Sequence, residues 1–70
     1  MRIGQLAQLI GVETQTIRFY EQQGLLPPTH RQDNGYRVYT KMHGERLAFI
    51  RRCRTLGLSL AEIHELQSYQ

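Results

Sequence analysis

The chain has one cysteine, two prolines and no tryptophan among its 70 residues. A single thiol excludes an internal disulfide and fits a reducing compartment, the cytoplasm. No apolar run approaches the roughly 18 residues that a membrane-spanning helix needs. Met1-Arg2-Ile3-Gly4 opens an alternation of apolar and polar residues, not the apolar block of a signal peptide. Internal repeats, low-complexity tracts and Gly/Ser linkers are absent. Enzyme chemistry is poorly supplied: there is no Ser/His/Asp order, no glycine-rich phosphate loop and no pair of carboxylates in an apolar run. Cys53, His30, His43 and His64 match no metal-ligand spacing, and Cys53 reads as a small core residue.

What is present is enough for one small domain covering residues 1–70. The net charge of +3 is unevenly placed. Residues 1–30 are neutral, residues 31–54 hold seven of the nine cations, and residues 55–70 are acidic. A concentrated basic surface suits a polyanion such as a nucleic-acid backbone, although it also serves solubility.

Ile3, Leu6, Ala7 and Ile10 recur at helical spacing, and Gly11 follows as a stop. A second helix starts near Glu13 or Thr14, with Thr14 a candidate N-cap. Ile17 and Tyr20 share its inner face, while Gln15, Arg18, Phe19 and Gln22 project from the other side. Gly24 ends it, Leu25 and Leu26 return to the core, and Pro27-Pro28 forbids continuation. Two short helices joined by a tight turn form a helix-turn-helix pattern. Asn34-Gly35, between Arg31-Gln32-Asp33 and Tyr36-Arg37-Val38-Tyr39, predicts a two-residue type I′ hairpin, a short basic wing.

Thr40 can cap a third helix. Leu47, Phe49, Ile50, Cys53 and Leu56 lie on one half of its circumference; Lys41, Gly44, Ala48, Arg51 and Arg52 lie on the other. Arg46 interrupts the apolar half, its stem packed and its head in solvent. Ser59 with Glu62 forms a capping box for a fourth helix, with Leu60, Ile63, Leu66 and Tyr69 inward. That helix is still running near Gln70, as in a domain cut from a longer protein. The predicted class is mainly α: a winged helix-turn-helix of four helices and one hairpin.

Several segments together resemble one family. They are Ile3-Gly4-Gln5-Leu6-Ala7; Thr16-Ile17-Arg18-Phe19-Tyr20-Glu21 with Gly24-Leu25-Leu26-Pro27; Asn34-Gly35-Tyr36-Arg37-Val38-Tyr39; and Leu56-Gly57-Leu58-Ser59-Leu60-Ala61-Glu62-Ile63. In this order and without gaps they are similar to the N-terminal DNA-binding domain of MerR-family transcription regulators. Phe49-Ile50-Arg51-Arg52-Cys53-Arg54 and Leu26-Pro27-Pro28 are similar to its cadmium/lead-responsive branch.

The resemblance implies a homodimer joined by a coiled coil beyond the fourth helix. It implies a second helix in the major groove of double-stranded promoter DNA, and regulation of RNA polymerase by distorting the promoter. It also implies Cd(II) or Pb(II) as effector of the full-length protein, sensed outside these residues, with no metal held here. An excisionase-like DNA-bending protein and a helical adaptor for an acidic partner are the alternatives.

The site residues expected on this basis are Gln15, Thr16, Arg18, Phe19, Tyr20 and Gln22 from the second helix, and Tyr36 and Arg37 from the wing. Arg51, Arg52, Arg54 and Ser59 are expected to hold phosphates. Each has a plainer reading. Arg18 can pair with Glu21 or Glu13, Tyr36 can pack across the hairpin, and Phe19, where the wider family has Tyr, can simply pack. Arg51, Arg52 and Arg54 can form a solvated face, and Ser59 can be a cap and nothing more.

Overall fold

The computed structural model describes residues 1–31, 35 and 37–69, the side chains of residues 30 and 31 excepted. The elements are α1 (Ile3–Ile10), α2 (Thr14–Gln22), β1 (His30–Arg31), β2 (Arg37–Val38), α3 (Lys41–Thr55) and α4 (Leu60–Ser68). Leu6, Ile17, Leu25, Tyr39, Leu47, Ile50 and Ile63 are fully buried and bring all four helices and the end of the wing into one core. The architecture is the expected winged helix-turn-helix.

Local chemistry explains the boundaries. The α1 stripe buries Leu6 and Ala7, and Gly11 closes the helix in the left-handed conformation (φ 84°). Glu13 occupies the N-cap position of α2 without a side-chain capping hydrogen bond, and Thr14 is already the first helical residue, one position later in the helix than its hydroxyl suggested. Gly24 takes φ 75°. This lets Leu25 N–H reach back to the Tyr20 carbonyl (2.9 Å), turning Leu25 and Leu26 into the core. Ser59 and Glu62 form the reciprocal capping box: Ser59 N–H donates to Glu62 Oε1 (2.9 Å) and Glu62 N–H to Ser59 Oγ (3.1 Å). Hydrogen bonding from Ser59, its backbone N–H first and its side chain second, holds the Glu62 carboxyl below its usual range.

The third helix departs from the simple two-sided reading. It meets α1 on one flank and α4 on another, so its inner arc is wider than one stripe. Gly44 lies in that arc: a Cβ there would sit 3.6 Å from Leu6 Cδ1. His43, polar by composition, is buried as well. Its Nδ1 accepts the Thr40 N–H (3.1 Å), so Nε2 carries the proton and donates to the Pro27 carbonyl (3.0 Å). The ring thereby pins the segment after α2 to the start of α3. Leu56 is 79% exposed instead of inward. It is the cap after α3, and the chain has already turned, with Leu58 N–H on the Cys53 carbonyl (3.0 Å). Arg46 is half-buried, in keeping with a packed stem.

In α4 only Ile63 and Gln67 are buried. Leu66 (45%) and Tyr69 (81%) face outward, correcting the inward placement. The covered stripe is Leu60, Ile63 and Gln67, at spacings of three and four that put them on one face of the helix.

The wing is antiparallel, with His30 opposite Val38 and Arg31 opposite Arg37. A two-residue Asn34-Gly35 turn requires Arg31 opposite Val38. The observed register is one residue away from that. Gly35 does take φ 86°. Residues 32, 33, Asn34 and Tyr36, and with them the expected Tyr36 contact, lie outside the described residues.

Candidate nucleic-acid interface

The second helix carries a buried side and an open side. Ile17 is its buried residue, Tyr20 packs partly on the core, and Gln15, Arg18, Phe19 and Gln22 are exposed, with Thr16 intermediate. Phe19 (44% exposed) rests at a tilt on Tyr20, ring centroids 5.9 Å apart. The open side is flanked by two concavities. On one flank Arg18 and Gln22 line a cleft of about 900 Å³ with Arg2, Gln5 and Gln8 of the N-terminal segment and Arg37 of the wing. On the other, Gln15, Thr16, Phe19 and Tyr20 border a smaller depression with Arg54 and Leu60.

The wing is fastened to α2 by a side-chain cluster that sequence reasoning missed. Glu21 accepts a hydrogen bond from the Tyr39 hydroxyl on one oxygen and pairs with Arg37 Nη1 on the other (3.1 Å). The Glu21 side chain is 13% exposed and that of Arg37 is 43% exposed. Glu21 therefore engages Arg37 and not Arg18, and among the described residues Arg18 has no hydrogen-bond or ion-pair partner. The backbone of Tyr39 also pairs with Met1: Tyr39 N–H donates to the Met1 carbonyl (2.6 Å) and the Met1 ammonium to the Tyr39 carbonyl (2.8 Å).

Burial, the Glu21 hydrogen bond and its negative charge push the Tyr39 phenol up from 10.0 to about 12, against the opposing pull of Arg37. A raised folded-state value means that the stabilisation is fully present below the unfolded-state value and is lost as pH rises through the folded one. Denaturant midpoints should therefore fall between about pH 10 and about pH 12. In Tyr39→Phe this component of the fall should vanish, and an identical alkaline fall in both proteins would refute the assignment.

The three arginines of α3 separate. Arg54 stays beside α2, though its Nη1 donates to the Leu58 carbonyl (3.1 Å). Arg51 is engaged with the Ile10 carbonyl, the negative end of α1. Arg51 and Arg52 line a different groove with Leu9 and Leu56. They are exposed but not gathered around the recognition helix. Ser59 is exposed and its hydroxyl serves the cap. Cys53 is buried and reduced in the core. His43 uses both ring nitrogens inside the fold, and among the described residues no group of three or more His, Cys, Asp or Glu side chains could hold a metal ion. No helix of the described residues is long and apolar enough to cross a membrane.

Comparison with known proteins agrees with this geometry. The chain is 50% identical over 66 residues to the HTH-type transcriptional regulator ZntR homolog of Haemophilus influenzae, covering 94% of this chain and 49% of that protein. It superposes with a TM-score of 0.92 on the transcription regulator PbrR691 from Ralstonia metallidurans CH34 in complex with lead(II), at 45% identity, covering 99% of this chain and 54% of the other. A TM-score of 0.86 at 30% identity relates it to HiNmlR, a MerR family regulator lacking the sensor domain, bound to promoter DNA; that match covers 94% of this chain and 50% of the other. The chain spans about half the length of the relatives it matches. The family profile of MerR HTH regulatory proteins matches residues 1–70, and the chain belongs to that family of regulators, not enzymes.

Proposed function

We propose that the chain is the sequence-specific DNA-binding domain of a metal-responsive transcription regulator, working as a homodimer on promoter DNA in the cytoplasm. The observation that carries this reading is the open side of α2, where Gln15, Arg18, Phe19 and Gln22 emerge together from a short rigid helix between two arginine-bearing concavities. Such a helix fits the major groove. Arg18 supplies a guanidinium fork for guanine, Gln15 and Gln22 supply amides, Thr16 a hydroxyl, and Phe19 an apolar face for a thymine methyl.

Arg37, Arg54, Tyr20 and Ser59 are assigned to the phosphate backbone, with Tyr36 of the wing. Arg52 is assigned there more distantly, and Arg51 least, because its guanidinium already serves the α1 terminus. Grip at several backbone points is what a protein needs if it is to bend and untwist a promoter for RNA polymerase. Cd(II) or Pb(II) is assigned as the effector of the full-length protein. Support comes from the lead(II) complex of PbrR691 and from the ZntR homolog, and the promoter-bound HiNmlR structure supports the DNA reading.

The test is binding to duplex DNA by fluorescence anisotropy across a salt series. The chain should bind at low ionic strength, more tightly to a duplex selected by it from a randomised pool than to a scrambled one. Arg37→Ala should weaken both duplexes alike and make the salt slope shallower by about one. A chain that leaves every duplex unbound at low salt would refute the proposal. Binding of an acidic protein in preference to DNA would instead support the adaptor reading.

A further inference from the structure

Two guanidiniums of the cleft beside the recognition helix come from different elements, Arg18 from α2 and Arg37 from β2. The strands of the wing are two residues long, and a two-stranded hairpin is marginal by itself. Its placement against α2 therefore depends on side chains. Among the described residues, both hydrogen bonds that join α2 to β2 and the residue after it end on the Glu21 carboxylate. One comes from Arg37 Nη1 (3.1 Å) and one from the Tyr39 hydroxyl.

The two donors differ in kind. Tyr39 is fully buried and its backbone is bonded to Met1, so it ties Glu21 to the core. Arg37 is partly exposed and lines the open cleft, and a guanidinium has five N–H donors, more than Glu21 takes up. Glu21 is mostly buried and is not among the residues lining the cleft. Its charge nevertheless has the wrong sign for a polyanion. At long range it offsets the charge of Arg37, and diffuse attraction to phosphates is what drives non-specific binding. At contact the guanidinium still acts, because a charge-assisted hydrogen bond depends on local geometry. The pair thus suppresses loose attraction and preserves docked contact. It also restricts a long side chain to few rotamers, which fixes where its contact falls relative to Arg18.

We infer that Glu21 is a positioning residue for DNA recognition: it holds Arg37 so that the wing meets phosphate in the register in which Arg18 meets the bases. This rests on the DNA-binding reading above. Glu21 itself touches no DNA.

The experiment measures anisotropy with the selected and scrambled duplexes for wild type, Glu21→Gln, Glu65→Gln, Arg37→Ala and the double variant Glu21→Gln/Arg37→Ala. Glutamine keeps the size of the side chain, loses its charge and turns an NH2 group toward one of the two donors that Glu21 serves. Glu21→Gln should bind the scrambled duplex more tightly than wild type does. It should lower the ratio of selected to scrambled affinity about fivefold or more, the scale of one lost base contact. Glu65, exposed on α4 and outside the cleft lining, makes the same change of charge elsewhere, and Glu65→Gln should keep the wild-type ratio. In the double variant the ratio should stay where Arg37→Ala alone sets it. In the unmodified free protein, the Arg37 Nη–H resonances should be resolved by restricted rotation while those of Arg18 average, a readout that does not depend on any variant folding.

An equal gain on both duplexes in Glu21→Gln would make Glu21 a charge and nothing more. Weaker binding of both would make it a residue of the fold alone, and a further fall of the ratio in the double variant would show that it acts without Arg37. Each of these results, or Arg37 resonances that average like those of Arg18, would overturn this inference and leave the DNA-binding reading standing. A wild-type chain that binds no duplex would overturn both.

Discussion

Tyr39→Ala should cost about 3–5 kcal/mol, the usual loss for a large buried ring cut back to a methyl group. A 70-residue domain at about 0.05–0.15 kcal/mol per residue has about 3.5–10.5 kcal/mol in total, so the variant should lose from about a third of its stability to all of it. Three losses coincide at this position. The ring is fully buried and packs edge-on against His43, centroids 5.3 Å apart. Its hydroxyl satisfies one oxygen of a mostly buried carboxylate. Its backbone closes the wing against the N-terminus through Met1.

The variants separate these contributions. Tyr39→Phe keeps the ring and the backbone but leaves Glu21 with Arg37 alone; about 1–3 kcal/mol is expected, the cost of removing a hydrogen bond to a charged group. Helix content by circular dichroism and urea midpoints measure both. A Tyr39→Ala protein that melts where wild type melts would show that the wing is an appendage and not part of the core.

Tyr39 also shows where the sequence stopped being informative. The first helix was legible because Ile3, Leu6, Ala7 and Ile10 occupy one face with a glycine after them, and the fourth because Ser59 and Glu62 announce its start. Both signals are local. The wing has two residues per strand, too few for alternation to say which way Tyr39 turns, and the aromatic run read equally well as a surface ribbon. Glu21 had Arg18 three residues away on the same helix, and local spacing offered only that pair as an alternative to DNA contact by Arg18. The partner it takes is sixteen residues along the chain, a choice made only when the wing folds back on α2.

The basic patch shows the same limit. Arg51, Arg52 and Arg54 are alike in composition, yet one closes the end of α1, one borders an apolar groove and one stands beside the recognition helix. Charge counting cannot tell a guanidinium already bonded to a carbonyl from one still open to a ligand. Residues whose position along one helix decides their exposure, such as Gln15, Arg18 and Gln22, were placed correctly for the opposite reason. On a helix with one buried face, the spacing itself determines the outward side.

Arg18→Ala should weaken binding to the selected duplex by about 1–3 kcal/mol, roughly 5- to 150-fold. It should weaken binding to a scrambled duplex much less. The argument starts from what the side chain lacks: Arg18 is exposed, Glu21 is occupied by Arg37, and among the described residues nothing else holds it. Removing it therefore disturbs little in the free fold, and its whole effect should appear in the complex.

Charge and geometry can be separated at this position. Lysine keeps the charge but loses the planar fork that grips two acceptors on one guanine edge. Arg18→Lys should recover the wild-type salt slope and fail to recover discrimination between the selected and scrambled duplexes. If lysine restored both, Arg18 would be a phosphate clamp like Arg37, and the reading of bases would pass to Gln15 and Gln22. If alanine changed neither affinity, with the melting curve intact, the open side of α2 would not be the surface that enters the groove.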